Sequence, residues 1–114
     1  MSNIINHDNF IDELMDAIKS NSFEQIKNII DTNQNIQNIN INQQNNDGYT
    51  ALMFAVQYNT DVAVTQYLCE TFKDTIDINI QEHDGNTALM FAAQSDTNIE
   101  ILQYLYNTFK DTID

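Results

Sequence analysis

Carboxylates are the one chemically active residue type that this chain has in quantity. Seventeen Asp and Glu stand against four lysines (Lys19, Lys27, Lys73 and Lys110) and no arginine, a formal net charge of −13 over 114 residues. Acids gathered around a turn glycine could make a calcium loop, which needs acids at positions 1, 3 and 5, Gly at 6 and Glu at 12. With Gly85 at position 6, Ile80 falls at position 1 and Phe91 at position 12; with Gly48 there, Gln43 and Phe54 take those places. Both registers fail. His7 and His83 are too few and too isolated for a metal site, and Cys69 lies on an apolar helical stripe, where a free thiol behaves as a small buried hydrophobe. With two glycines in all, a phosphate-cradling loop has almost no material, and neither Gly-x-Ser-x-Gly nor Cys-x-x-Cys occurs. No catalytic, cofactor-binding or metal-binding residue is therefore expected. The carboxylates read as a solvated face, and the chain reads as not an enzyme.

The charge says more about partners than about reactions. Binding to nucleic acid needs cations that neutralise phosphates and release counterions. This surface would repel a phosphate backbone or an anionic membrane, so a basic or neutral protein is the favoured partner. Salt should weaken any charge-steered part of that association. The N-terminus has no basic and apolar leader pattern, and no apolar run is long enough to span a bilayer. The single Cys69 cannot form an intramolecular disulfide, which fits a reducing compartment. An intracellular, cytoplasmic location is the expectation.

The elements that would carry such a surface follow from a phrase used twice. Gly48-Tyr49-Thr50-Ala51-Leu52-Met53-Phe54-Ala55-Val56 returns as Gly85-Asn86-Thr87-Ala88-Leu89-Met90-Phe91-Ala92-Ala93, an offset of 37 residues. Between 48–77 and 85–114, 19 of 30 positions are identical, which marks a repeat architecture. A helix is expected from near Phe10, with Ile11, Leu14, Met15 and Ile18 at i, i+3, i+4, i+7. Ser20-Asn21-Ser22 breaks it, and a second helix from Phe23 carries Ile26, Ile29 and Ile30. Two helices so close pack as an antiparallel hairpin. Residues 31–46 form an Asn- and Gln-rich loop, extended at Ile39-Asn40-Ile41-Asn42, whose counterpart is Ile76-Asp77-Ile78-Asn79. Asp47-Gly48 and Asp84-Gly85 are tight-turn signals, and Thr50 and Thr87 are placed to cap the helices that follow. Asn59 and Asp96 stop those helices. The next ones carry Thr65, Leu68, Cys69 and Phe72, or Leu102, Leu105, Tyr106 and Phe109.

These residues resemble ankyrin repeats, whose phrase is Gly-x-Thr-Pro-Leu-His-x-Ala-Ala and whose closing Ala-Asp-Val-Asn is similar to Ile76-Asp77-Ile78-Asn79. Leu14-Met15-Asp16-Ala17-Ile18 aligns under Leu52-Met53-Phe54-Ala55-Val56. It lacks the Gly-x-Thr opening and has Asp16 in the place of Phe54, as an N-terminal capping repeat with one face to water would. The resemblance implies an all-α fold, a short helix-turn-helix solenoid of about three repeats. A polar lead-in covers 1–9, the capping repeat with its loop 10–46, a repeat 47–83 and a last repeat 84–114, uncapped at its C-terminus. The period of 37 exceeds the family's 33, with Asp61 and Asn98 as one extra residue between helices. Ala51 and Ala88 replace the proline. Met53 and Met90 replace the histidine that ties neighbouring turns in the family, so the turns are expected to be held more by packing and less by polar links.

In the family, turn tips and the exposed side of the first helix form a concave surface that grips partner proteins. The matching positions are Gln44, Asn46, Asp47, Tyr49, Gln57 and Tyr58, and one unit on Gln81, His83, Asp84, Asn86, Gln94 and Ser95. Tyr49 and Tyr58 either contact a partner, as tyrosines at binding hot spots do, or cover their own repeat. The resemblance thus implies a non-catalytic protein–protein interaction module that uses the concave face. The alternative is a structural unit, self-associating or part of a longer array, that uses the uncapped end near Leu102, Tyr106 and Phe109.

Overall fold

The computed structural model describes residues 7–20, 22–32, 39–58, 61–94 and 99–113, with side chains from Phe10 onwards. The expected stops at Asn59 and Asp96, the extra residue Asn98 and the middle of the polar tract lie outside the described residues. Six helices follow in order: α1 (His7–Lys19), α2 (Phe23–Asp31), α3 (Ala51–Tyr58), α4 (Val62–Thr71), α5 (Ala88–Gln94) and α6 (Ile99–Phe109). α1 starts at His7 rather than near Phe10, because no glycine or proline precedes Phe10 to stop the helix one turn earlier.

Capping residues set the starts of the helices. The Ser22 hydroxyl accepts from the Gln25 N–H at 3.3 Å. The Asp61 carboxylate accepts from the Ala63 N–H at 3.0 Å, so the extra residue of this long repeat works as a helix cap. The Thr50 and Thr87 hydroxyls accept from the N–H groups of Met53 (3.3 Å) and Met90 (3.2 Å), as their spacing predicts. The helix pairs end alike. The Phe72 carbonyl accepts from Thr75 and Ile76, and the Phe109 carbonyl accepts from Thr112 and Ile113.

Each pair, α1/α2, α3/α4 and α5/α6, is a hairpin, and the pairs stack so that α1, α3 and α5 form an inner row. In the outer row α4 packs on α6. α2 meets α4 where the Phe23 ring stands edge-on to Tyr67 at 5.6 Å and the Tyr67 hydroxyl donates to Asp31 at 3.3 Å. Burial, then the Asp31 carboxylate, pushes the Tyr67 phenol above its ordinary pKa. The stack measures 47 × 26 × 24 Å, elongated as a linear array should be.

The core lies between the pairs, in two clusters. In the first, Leu14, Ile18, Ile26 and Ile30 meet Ala51, Ala55, Val64 and Leu68. In the second, Leu52, Met53, Val56 and Cys69 meet Ala88, Phe91, Ala92, Ile101 and Leu105. α3 therefore lends one side to each cluster, and its alanines let α1 come close. The stripe expected on α4 is buried throughout, at Thr65, Leu68, Cys69 and Phe72. On α6 the corresponding stripe is split: Leu105 is fully buried together with Ile101, whereas Leu102 and Phe109 are half-buried and Tyr106 is exposed.

One loop expectation needs revision. The segment 39–42 is a turn, not an extended end. The Asn40 side chain accepts from the Asn42 N–H at 3.1 Å and the Asn40 carbonyl from the Gln43 N–H at 3.1 Å. Asp77 holds Asn79 in the same way at 2.9 Å. This local side-chain-to-backbone bond outcompetes the extended pairing that alternating Ile and Asn would otherwise favour. Ile39, Ile41 and Ile78 are nonetheless buried.

Gly48 and Gly85 both sit at φ +89°, but their surroundings differ. A Cβ on Gly48 would come within 2.7 Å of the His83 ring and 2.8 Å of the His83 nitrogen, while one on Gly85 would meet nothing within 4 Å. The left-handed backbone alone should make Gly85→Ala destabilising by roughly 1–2 kcal/mol. Gly48→Ala should lose clearly more, because the next turn must also move. Urea unfolding of both variants measures the order, and equal losses would mean that the contact with His83 is slack.

Candidate protein-binding surface

The two turn tips share one construction. Asn45 and Glu82, one period apart, each fold a side chain over their own turn. The Asn45 side-chain oxygen accepts from the N–H groups of Asp47 (2.9 Å) and Tyr49 (3.0 Å). The Glu82 carboxylate accepts from those of Asp84 (2.7 Å) and Asn86 (2.9 Å) and is buried in doing so. The tip residues Asn46, Asp47, His83 and Asp84 are exposed, with one edge of the His83 ring lying over Gly48.

Polar links, not packing alone, tie one turn to the next. The Gln44 amide donates to its own turn at the Gly48 carbonyl (2.8 Å) and to the next turn at the Gln81 carbonyl (2.9 Å). The His83 N–H donates to the Asp47 carbonyl at 3.4 Å. Asn42 donates to the Thr75 carbonyl and accepts from the Asp77 N–H, both at 2.8 Å. Glutamine and asparagine side chains thus link the turns where the histidine of the phrase is missing. Met53 instead fills the interior and presents its sulfur to the Thr50 N–H at 3.5 Å. This makes Gln44 a brace between turns as well as an exposed residue. Gln81 donates to the Gly85 carbonyl at 3.2 Å in the equivalent way.

Aromatic rings connect the turn to the far end of the inner helix. Tyr49 meets Phe54 edge-on at 5.7 Å, Phe54 meets Tyr58 at 5.2 Å, and the Lys19 ammonium lies 5.5 Å from the centre of the Tyr58 ring. Tyr49 also stacks on Phe91 of the next repeat, at 5.5 Å and 18°. The two tyrosines expected at a partner surface therefore differ. Tyr49 is half-buried and joins two repeats, whereas Tyr58 is 43% exposed. Gln57 and Gln94 are exposed near the ends of their helices, Asn86 is half-buried in its turn, and Ser95 lies outside the described residues. Lys19, Asn45 and Glu82 were not singled out by the sequence. The 37-residue register could have paired Asn45 with Glu82, although the two differ in type.

No group of three or more His, Cys, Asp or Glu among the described residues is arranged to hold a metal ion. Cys69 is buried, and burial, then the Glu70 charge, pushes its thiol up to about 12. It stays protonated and packed rather than nucleophilic.

A family model described as ankyrin repeats, three copies, matches residues 14–114. The chain is an ankyrin-repeat protein. No curated protein matches it significantly. Among solved structures it is similar to a chain in the complex of the predatory endopeptidase Bd0816 from Bdellovibrio bacteriovorus with the immunity protein Bd3460, with TM-score 0.70 and 22% identity. The match covers 90% of this chain and 47% of that one, so this chain spans about half the length of the structure it resembles. At that identity the likeness concerns the fold. The ankyrin assignment agrees with six helices and no strand among the described residues. No helix among them is long and apolar enough to cross a membrane.

Tyr49→Ala should lower the thermal midpoint by several degrees, because a stacked aromatic pair contributes about 0.5–1.5 kcal/mol beyond its buried area. Tyr58→Ala should lower the midpoint less, because its more exposed ring loses only its edge contact with Phe54 and the Lys19 ammonium, and the reverse order would mean that Tyr58 is the structural ring. Cys69 should resist iodoacetamide at pH 8 until the protein unfolds. Its contribution to stability should be complete below the unfolded thiol's 9.0 and be lost as pH rises towards about 12.

Proposed function

We propose that this ankyrin-repeat protein is a non-catalytic protein-binding module. Its contact surface runs from the turn tips along the exposed ends of α3 and α5. The observation that carries this reading is the aromatic strip Tyr49–Phe54–Tyr58, which joins the tips to the end of α3 and leaves Tyr58 outermost. An amphipathic ring on a rigid helix, flanked by exposed polar residues, is the composition of a binding hot spot. Gln57, Tyr58 and Gln94 would make contacts at the helix ends, and Asn46, Asp47, His83, Asp84 and Asn86 at the tips. Ser95 belongs to the same proposed set by sequence position. Gln44 and Tyr49 would act mainly by keeping the turns in register, as would Gln81.

The negative field favours a basic or neutral partner and would speed the encounter more than it tightens the complex. A crowded acidic surface is a poor seat for nucleic acid or an anionic bilayer. A cytoplasmic location belongs to the same proposal. The solved complex of Bd0816 with Bd3460 is an example of one protein held by another; it lends support by fold and names no partner for this chain.

Site-specific crosslinking tests the surface. A photoreactive residue in place of Tyr58 should capture a partner that the same residue in place of Gln66, on α4, does not. With the purified partner, Tyr58→Ala should weaken binding about tenfold, as truncating a hot-spot residue does. Equal capture from both positions, or binding indifferent to Tyr58, would reject this face.

A further inference from the structure

The first hairpin carries a groove that the core does not use. On α1, Glu13, Asp16, Ala17 and Ser20 fall at i, i+3, i+4, i+7, a second stripe beside the one that holds Leu14 and Ile18. On α2, Gln25, Asn28 and Ile29 fall at i, i+3, i+4 and face them. Between the two stripes lies a groove of about 470 Å³, a volume ordinary for ligand pockets. Ala17 and Ile29 supply its apolar floor. Ile29 is only half-buried, whereas Ile26 and Ile30 are fully buried in the core. The polar residues of both stripes are exposed along the rim.

The charge of this groove is not matched from within the hairpin. Both of the hairpin's lysines are held elsewhere. The Lys19 ammonium lies 5.5 Å from the centre of the Tyr58 ring, and that of Lys27 lies 5.8 Å from the centre of the Phe23 ring. Neither forms an ion pair among the described residues, and neither lines the groove. Glu13 and Asp16 stand one turn apart on one helix, where like charges repel. Asp16 also lies in the last turn of α1, where the helix dipole disfavours a carboxylate. Both placements cost the helix stability, and a cation brought between the carboxylates would relieve both. Ser20 adds an acceptor: its hydroxyl donates to the Ala17 carbonyl at 3.0 Å, so its oxygen is left to accept.

We propose that this groove seats an arginine side chain from a basic segment of a partner protein. The charge and shape of the groove fit that occupant on three counts. The methylene stem of arginine lies on Ala17 and Ile29 while its charged head stays at the rim. Its guanidinium carries five N–H donors and no acceptor, matching a rim where the Glu13 and Asp16 carboxylates and the Ser20 oxygen accept. Its planar fork pairs with a carboxylate through two parallel bonds, which the point charge of a lysine does not. None of the lining residues belongs to the surface proposed above, so this is a second contact and does not depend on the first.

The probe is a short peptide of glycine and serine with arginine at alternate positions, compared with its citrulline counterpart, which keeps the shape and loses the charge. Titration of the 114-residue chain, followed by nuclear magnetic resonance, reads the backbone amides. The arginine peptide should shift those of Ala17, Ser20, Asn28 and Ile29 saturably, and the citrulline peptide should not. Glu13→Gln together with Asp16→Asn should weaken the arginine peptide roughly five- to tenfold, as loss of two exposed ion pairs does, without lowering the thermal midpoint. Asp74→Asn together with Asp111→Asn removes the same charge from exposed positions on the other hairpins. That pair should change the affinity by less than about twofold, because salt screens exposed charges at such a distance. Equal weakening by the two pairs would mean that the peptide follows the overall field, and it would overturn the proposal. So would equal shifts with citrulline, shifts confined to other surfaces, or no saturable binding.

Discussion

A helix hairpin of this size cannot bury its apolar residues on itself, and the joint between adjacent hairpins is where they go. α3 shows the constraint directly. Within eight residues it must supply Ala51 and Ala55 to one neighbour and Leu52, Met53 and Val56 to the other. It is apolar almost all round, as a helix flanked on both sides should be. Small residues on one side and large ones on the other let successive inner helices approach and interlock. Full burial of a side chain such as Leu52 or Val56 contributes roughly 1.5–3 kcal/mol, so a hairpin without a neighbour forgoes most of what would hold it folded. α1 meets the constraint from one side only. Its buried set faces its neighbours, while Asp12, Glu13 and Asp16 are exposed.

The polar residues answer to the same joint. In a chain with so many asparagines and glutamines, an amide can serve two backbones at once, and Gln44 and Asn42 do so. Their bonds are short, and those to Gly48 and Thr75 recur one unit on from Gln81 and Asn79, so they fix the spacing of the turns while the apolar side chains fix that of the helices. Asn45 and Glu82 act one level below, inside each turn. They satisfy N–H groups that a turn leaves unpaired. The exposed residues at the tips then project from a frame held by these bonds.

Much of this was legible in the sequence, because period and capping are local properties. The repeat offset, the apolar stripes of α1, α2 and α4, the threonine caps and the buried Cys69 all follow from spacing along the chain. Other features depend on what a residue meets across the joint. Tyr49 and Tyr58 are equivalent in type, and only the placement of Phe91 makes the first a stacking partner between repeats, while the second keeps edge contact with Phe54 and a 43% exposed ring. The same holds for α6, where a stripe drawn with one spacing is divided between a filled side and an open one. Asn45 and Glu82 differ in type, and only their shared geometry makes them counterparts. At 39–42 the alternation of Ile and Asn obeys the period of a strand, while the deciding bond is the one the Asn40 side chain accepts from the Asn42 N–H.

The stacking order has a kinetic side. The principal helix contacts each join elements within one repeat or between neighbouring repeats. Such a topology closes short loops only, and chains of this kind fold fast for their length. The absence of proline also removes the isomerisation that most often delays a folding chain. During synthesis each hairpin needs only the one before it to complete a joint. The solenoid can therefore assemble from its N-terminus at the pace of translation, without waiting for its last residue.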